Sequence, residues 1–442
     1  MIDRKGRIAI VGAGPGGLCA ARWLHDQGIA FDLLERNPDV GGIWDIAFPN
    51  SPMYESAHFI SSRTLSGFRD FPMPADYPDY PGHRQVLAYL RAYAEKYGLR
   101  TRAECGVEVT QARPDGDAWT LELATGERRR YAGLVSAVGL QWTPKTPEIP
   151  GRFDGQAYHA NAYRSARQVA GKRVLVVGAG NSGCDIAVDA SSSAAATFLS
   201  LRRGYWIVPK HVFGVPADVF GHSGPQLPYW LERPILERLL KILVGDVRRL
   251  GLPAPDHHLF QTHPVLNSQI LHALSHGDVT VRPDVTAFEG REVVFKDGRR
   301  EAIDAVIFAT GYKRRIPILA PEVHAEGDTA SLFLSVFHRR HPSLFVVGFF
   351  ETDGGSYPLI DLQCELIARA IRARRESRAA PFEARMAGPP PDMSAGVRFL
   401  EVERMRNYVR TQAYTRYVSA CLRELGTLKG SGTYNPTGES WT

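Results

Sequence analysis

The chain has 442 residues, enough for roughly two or three domains that each bury a core. Its 23% charged and 44% hydrophobic residues are those of an ordinary globular enzyme, and its +6 net charge is carried by scattered arginines. That excludes a concentrated nucleic-acid surface and suits small anionic ligands. Five dispersed cysteines (Cys19, Cys105, Cys184, Cys364, Cys421) without a Cys-x-x-Cys exclude a disulfide framework and a zinc site.

In chain order, residues 7–11 form an apolar run, followed by a glycine turn, a helix over 18–27 and a second apolar run, 31–34, that ends at Glu35. This is strand, loop, helix, strand. The early first strand leaves no room for a secretory signal. Residues 79–98 predict a helix behind a Pro/Tyr loop. Alternating segments around 101–110 and 119–123 predict a small antiparallel meander. The βαβ grammar returns at 173–177, 184–190 and 197–201. Residues 211–265, rich in Pro, Leu and Arg, read as a mostly helical insertion, with 239–244 as a buried helix. Strands resume at 279–288, 293–295 and 305–308. The last 70 or so residues show less periodicity, and 430–442 reads as a loose tail. No window approaches the about 18 apolar residues of a membrane span. Dispersed thiols fit a reducing cytoplasm.

The first turn, Gly12-Ala13-Gly14-Pro15-Gly16-Gly17, satisfies G-x-G-x-x-G. Its first glycine permits the tight turn, its second lets a pyrophosphate approach the backbone, and its third packs helix on strand. Free amides and the helix dipole then hold phosphates. Glu35 stands 35 − 12 = 23 positions on, where a carboxylate accepts ribose hydroxyls, and Arg36 follows it. Gly41-Gly42-Ile43-Trp44 offers a turn beside a cofactor, with an ordinary turn as the alternative.

Gly178-Ala179-Gly180-Asn181-Ser182-Gly183 repeats the pattern, but the equivalent of Glu35, at 178 + 23, is Leu201, followed by Arg202 and Arg203. Two guanidiniums stand where a 2′-phosphate would sit, and Arg grips phosphate bidentately; the alternative is a solvated turn. FAD is expected at the first site and NADPH at the second. The expected fold is α/β, with two Rossmann-like dinucleotide-binding domains in a glutathione-reductase-like arrangement. Residues 1–160 give the first part of the FAD domain and 161–320 the NADPH domain with its insertion. Residues 321–442 give the second FAD part and a C-terminal extension.

Between the turns, Phe153-Asp154-Gly155-Gln156-Ala157-Tyr158-His159-Ala160-Asn161-Ala162-Tyr163-Arg164 matches F-x-G-x-x-x-H-x-x-x-(Y/F)-(K/R). This is the identifying sequence of flavin-containing monooxygenases, which the chain resembles over about residues 7–365. Related Baeyer–Villiger enzymes usually carry Trp at the position of Tyr163. Further matches are GAGNSGCDIA at 178–187, Arg202-Arg203-Gly204, Ala309-Thr310-Gly311-Tyr312, and the stretches 54–74 and 348–363.

The resemblance implies an NADPH- and O2-dependent FAD monooxygenase. In that family bound NADP+ shields a C4a-(hydro)peroxyflavin, which passes one oxygen atom to a soft nucleophile, nitrogen or sulfur, or to a carbonyl or indole-like substrate. Excluding water protects such a species and the flavin carries the hard chemistry. The resemblance also implies cofactor contacts at Gly42, Ile43, Trp44, Val107, Ala309, Thr310, Gly311, Tyr312 and Gln363, and linker roles for His159, Tyr163 and Arg164, a structural role being the alternative for these three. By family analogy the protein is a homodimer.

One position departs from the pattern. Family members carry an Asn near the flavin, and counting back three from Arg63 places Ile60 there. Either His58 or Ser61 substitutes, or hydrogen peroxide leaks. Competing readings are therefore an NADPH oxidase-like flavoprotein, a Baeyer–Villiger monooxygenase and a non-catalytic redox-sensing flavoprotein. The missing Cys-x-x-Cys disfavours a disulfide reductase.

Overall fold

The computed structural model describes residues 1–224 and 227–426; the expected tail over 430–442 lies outside the described residues. In the first sheet, Ile2–Val11 runs parallel to Phe31–Glu35 on one side and to Arg128–Ser136 on the other. Ala103–Cys105 extends it past Phe31–Glu35, and Leu344–Val346 past Arg128–Ser136. Residues 8–11 are buried on both faces, which is why they read as an unbroken apolar run. The meander forms from Val109–Asp115, Ala118–Leu123 and Arg128–Ser136. The segment expected around 101–110 divides between it and the parallel strand Ala103–Cys105.

The second sheet is parallel throughout, in the order Val279–Arg282, Ala196–Ser200, Arg173–Val177, Ala305–Phe308, Gln156–His159. Its edge strand, Gln156–His159, lies just before residue 160. Residues 156–159 pair in register with 305–308, and Gly151–Phe153 pairs in parallel with Val285–Gly290 at the edge of a smaller sheet.

Two helical regions differ from expectation. Residues 211–265 hold the helices Ala217–Ser223 and Tyr229–Val244. The stretch 239–244 is helical but not buried: Leu240 is covered while Ile242 is 81% exposed. Conversely, Ser356–Arg375, which the sequence left unassigned, is a 20-residue helix buried along almost its whole length. It packs on Pro15–Asp26, the helix behind the first glycine turn. Asp361 and Glu365 lie wholly inside it, and the Arg69 guanidinium donates to both, at 3.0 and 2.5 Å. Buried carboxylates survive only when paired in this way.

Candidate active site

The two glycine turns are built alike. Gly12 has φ +100° and Gly178 φ +106°, and a Cβ on either would lie 2.6 Å from the carbonyl oxygen of Ala137 or Ala309 respectively. A Cβ on Gly17 would lie 1.7 Å from the Gly12 carbonyl oxygen, and one on Gly183 1.8 Å from that of Gly178. Only hydrogen fits at these four positions, so each helix begins flush against its strand. The helices start at Pro15 and Asn181, with Gly14 and Gly180 as extended N-caps that offer no side-chain partner to the first amides. Proline at the first helical position suits an N–H that would be unpaired anyway.

Around the first turn the chain closes in. Gly42, at φ +59°, stands so near that its Cβ would lie 2.8 Å from the Gly14 Cα, and Gly16 faces Val347. Ile43 and Trp44 continue from Gly42 in a short 3-10 turn. Glu35 is buried; its carboxylate accepts from the Ala13 amide at 2.6 Å and the Asn37 amide at 2.9 Å. Burial pushes this carboxyl up, against the opposing pull of those two amides. Arg36 lies over the Trp142 ring at 4.0 Å, with its Nη2 buried and without a partner. Val107 donates its amide to the Glu35 carbonyl at 2.8 Å. The Val107 amide is therefore already engaged within the fold.

The second turn is open. A Cβ on Gly180 would meet nothing within 4 Å. Asn181 accepts from the Leu266 amide at 2.8 Å. Leu201 is buried where Glu35 stands in the first unit, beside an apolar crevice shared with Tyr205, Leu252 and Pro253. Arg202 is exposed, whereas Arg203 pairs with Asp256 at 3.0 Å.

Of the linker residues, His159 and Tyr163 brace the second unit from within, and Arg164 bonds across to the first. The His159 Nε2–H donates to the Gly311 carbonyl at 2.9 Å, its ring packs edge-on to Tyr312, and burial lowers its pKa. Tyr163 is fully buried and donates to Asp189 at 2.5 Å. Arg164 donates to the Pro49 carbonyl at 3.1 Å and its own carbonyl accepts from the Glu55 amide at 2.8 Å, tying the second unit to the first. Thr310 donates to the Lys145 carbonyl, and burial pushes the Tyr312 hydroxyl up to about 12.

In the segment 58–63, Ile60 is half-buried. Both offered substitutes are engaged within the fold. The His58 ring is engaged by the Ser56 carbonyl at 3.0 Å and by Lys210, and Ser61 bonds Ser66 at 2.7 Å. The buried atoms left without partners belong to Ser62, at its hydroxyl, and to Arg63, at Nε. Gln363 also sits otherwise than expected. Its Oε1 accepts from the Gly348 amide at 2.9 Å and its Nε2 donates to Tyr414 at 2.8 Å, so a fully buried side chain supports the strand end rather than facing a ligand.

Sequence reasoning missed two features. Ala137-Val138-Gly139 ends the return strand of the first unit as Ala309-Thr310-Gly311 does in the second, with φ +79° at Gly139 and +82° at Gly311; the repeated A-x-G was legible. The other is a polar cluster between units: Asp185 accepts from Tyr54 at 3.2 Å and from Asn267 at 2.6 Å. Burial raises the Asp185 pKa and lowers that of Lys210 beside it. Nothing in the spacing of these residues could have joined them.

Two glycine cradles, each at the end of a strand paired in parallel, define an α/β fold suited to two dinucleotides. Residues 5–386 match the family described as "FMO-like: Flavin-binding monooxygenase-like", and the chain belongs to it. It is 30% identical over 444 residues to flavin-containing monooxygenase 5 of Homo sapiens, covering 93% of this chain and 80% of that protein. To the probable indole-3-pyruvate monooxygenase YUCCA9 of Arabidopsis thaliana it is 32% identical, over 70% of this chain and 75% of that one. The fold matches cyclohexanone monooxygenase bound to ε-caprolactone with a TM-score of 0.75, at 20% identity, across 95% and 98% of the two chains. FAD and NADPH are the cofactors of this family, and both cradles fit a dinucleotide: two turns with glycine at the close-approach positions, with a buried carboxylate and an unpartnered guanidinium nitrogen at the first. Among the described residues no helix is long and apolar enough to cross a membrane, and no side-chain group could hold a metal ion.

Proposed function

We propose that the protein is an NADPH-dependent cytoplasmic monooxygenase that transfers one oxygen atom from O2 to a soft nucleophile, a nitrogen or sulfur centre. The supporting observation is the contrast at the ends of the second strands, Glu35 against Leu201-Arg202. In the first cradle the amides of Gly14, Gly16 and Gly17 would hold the FAD diphosphate and Glu35 the adenosine ribose. In the second, the amides after Gly180 would hold the NADPH diphosphate, and exposed Arg202 would grip the 2′-phosphate. Flavin, when bound, supplies the reduction of oxygen. The chain's own residues bind, orient and exclude water: Gly42 closes over Gly14, His159 holds the Gly311 turn within the second unit, and Arg164 fixes that unit against the first.

A second reading is an oxidase that releases hydrogen peroxide. It is favoured by Ile60, whose neighbours His58 and Ser61 both have their polar atoms engaged elsewhere. A Baeyer–Villiger reaction at a carbonyl is the third reading. Rapid mixing of the reduced, NADP+-bound protein with oxygen separates the first two. A persistent absorbing species distinct from both reduced and oxidised flavin supports oxygen transfer. Immediate return to oxidised flavin with one equivalent of peroxide supports the oxidase.

A further inference from the structure

Lys210 is held firmly at the seam between the two units. Its amide donates to the Ser268 hydroxyl at 3.0 Å, and its carbonyl accepts from the Ala217 amide at 2.8 Å and from the Tyr80 hydroxyl. Its ammonium lies 4.7 Å from the centroid of the Tyr80 ring and donates to the His58 Nε2. The Ser56 carbonyl can only accept, so the His58 proton sits on Nδ1 and the ring that meets Lys210 is neutral. Neither partner carries a negative charge.

No carboxylate supplies one. Among the described residues Lys210 makes no ion pair. Asp185 acts on it only from a distance, since its two oxygens are taken by Tyr54 and Asn267. Asp79 faces His211 at 3.0 Å, and Asp218 accepts from the amides of Ser62 and Val219 at 2.6 and 2.9 Å. Arg63 repeats the pattern, tied to the residue before Tyr80. Its amide donates to the Asp79 carbonyl at 2.7 Å, while its guanidinium pairs with no carboxylate and its Nε is buried without a partner. The adjoining Ser62 hydroxyl is buried and unpartnered too, although Ser62 is the N-cap of Arg63–Ser66, where a serine ordinarily bonds the first amides.

Taking a cation half out of water without a counter-ion is costly, and an anionic ligand offsets that cost. Position decides which ligand. The segment that carries His58 and Arg63 touches both cradles. Tyr54 bonds Asp185 on the helix of the second, and Phe59 packs edge-on to Trp44 at 4.8 Å, beside the turn that roofs the first. An anion gathered there lies between the two nucleotide sites. The nucleotide phosphates have cradles of their own. We propose that Lys210, with Arg63, anchors a carboxylate on the substrate, so that the soft nucleophile is borne by a small organic acid. This rests on the oxygen-transfer reading and names its substrate class.

The test uses the full, FAD-loaded chain with 4-(methylthio)benzoate and its methyl ester, binding being read as perturbation of the flavin absorbance. The acid is expected to bind about tenfold more tightly than the ester, or better. Lys210→Met should bring that ratio to about one by raising the Kd of the acid, and Lys210→Arg should keep most of it. Arg63→Met should reduce it about threefold. A wild type that binds the acid no better than the ester, or not at all, overturns the assignment. So does a Lys210→Met variant whose KM for NADPH rises as much as the Kd of the acid, which would give the ammonium to a nucleotide phosphate. Sulfoxide is assayed separately: a preference for the acid without any sulfoxide would sustain the anchor and sink oxygen transfer.

Discussion

The two glycine cradles share a backbone and differ in what surrounds it. In each, two glycines meet carbonyl oxygens that no Cβ could approach. Yet Gly14 is roofed by Gly42, and its strand ends in a buried carboxylate, whereas Gly180 faces open space and its strand ends in Leu201 and exposed Arg202. Enclosure suits a cofactor that stays through many turnovers; openness suits one that exchanges. The difference teaches that the turn fixes only that a diphosphate binds, while its neighbours fix which dinucleotide and for how long.

The contrast can be broken most severely at the third glycines. Gly17→Ala and Gly183→Ala each force a Cβ onto a carbonyl, at a cost of about 3 kcal/mol or more. The first should leave protein without bound flavin, and the second should keep flavin but lose saturable NADPH kinetics, read as absorbance per chain and initial rates. Gly180→Ala should by comparison change stability by only about 1 kcal/mol, because it alters an N-cap that touches nothing.

Next in size is Arg202→Ala, expected to raise KM for NADPH about 10- to 100-fold while KM for NADH barely moves. Arg203→Ala should do less, because Asp256 already holds that guanidinium. Equal effects on both nucleotides would refute the 2′-phosphate assignment.

Ile60→Asn sharpens the choice between oxygenase and oxidase. It should lower the share of NADPH oxidation that ends as peroxide severalfold, measured by peroxide released per NADPH in the presence of a thioether. No change would remove position 60 from the account.

The smallest effect near neutrality is on acid stability. Burial depresses His338, in the first unit, to about 4 and His263, in the second, to about 3. Both are neutral in the folded chain, with pKa values below the unfolded value of about 6.5. Their contribution is therefore present above pH of about 6.5 and lost as pH falls from there toward 4 and 3. Tm measured against pH should be flat above neutrality and decline through that window; a Tm that holds to pH of about 4 would contradict it.

Much of this was legible in the sequence because turn chemistry is local. Gly12, Gly17, Gly178 and Gly183 announce themselves by spacing, and Glu35 by its count from Gly12. Helix Ser356–Arg375 did not, because burial on nearly every face erases the amphipathic period and sets Asp361, Gln363 and Glu365 in the core. Residues 239–244 misled for the opposite reason: apolar side chains were taken as inward, and no local rule says which face a neighbour covers. The engagement of His58 by Lys210, 152 positions away, is a tertiary fact that no spacing carries.

The most direct test of the paired-cradle account is a crystal structure of the protein grown with FAD and NADP+. It should show the flavin diphosphate on the amides of Gly14, Gly16 and Gly17 with the ribose at Glu35, and the 2′-phosphate of NADP+ at Arg202. Flavin lying over residues 180–183, or both nucleotides competing for one turn, would contradict it.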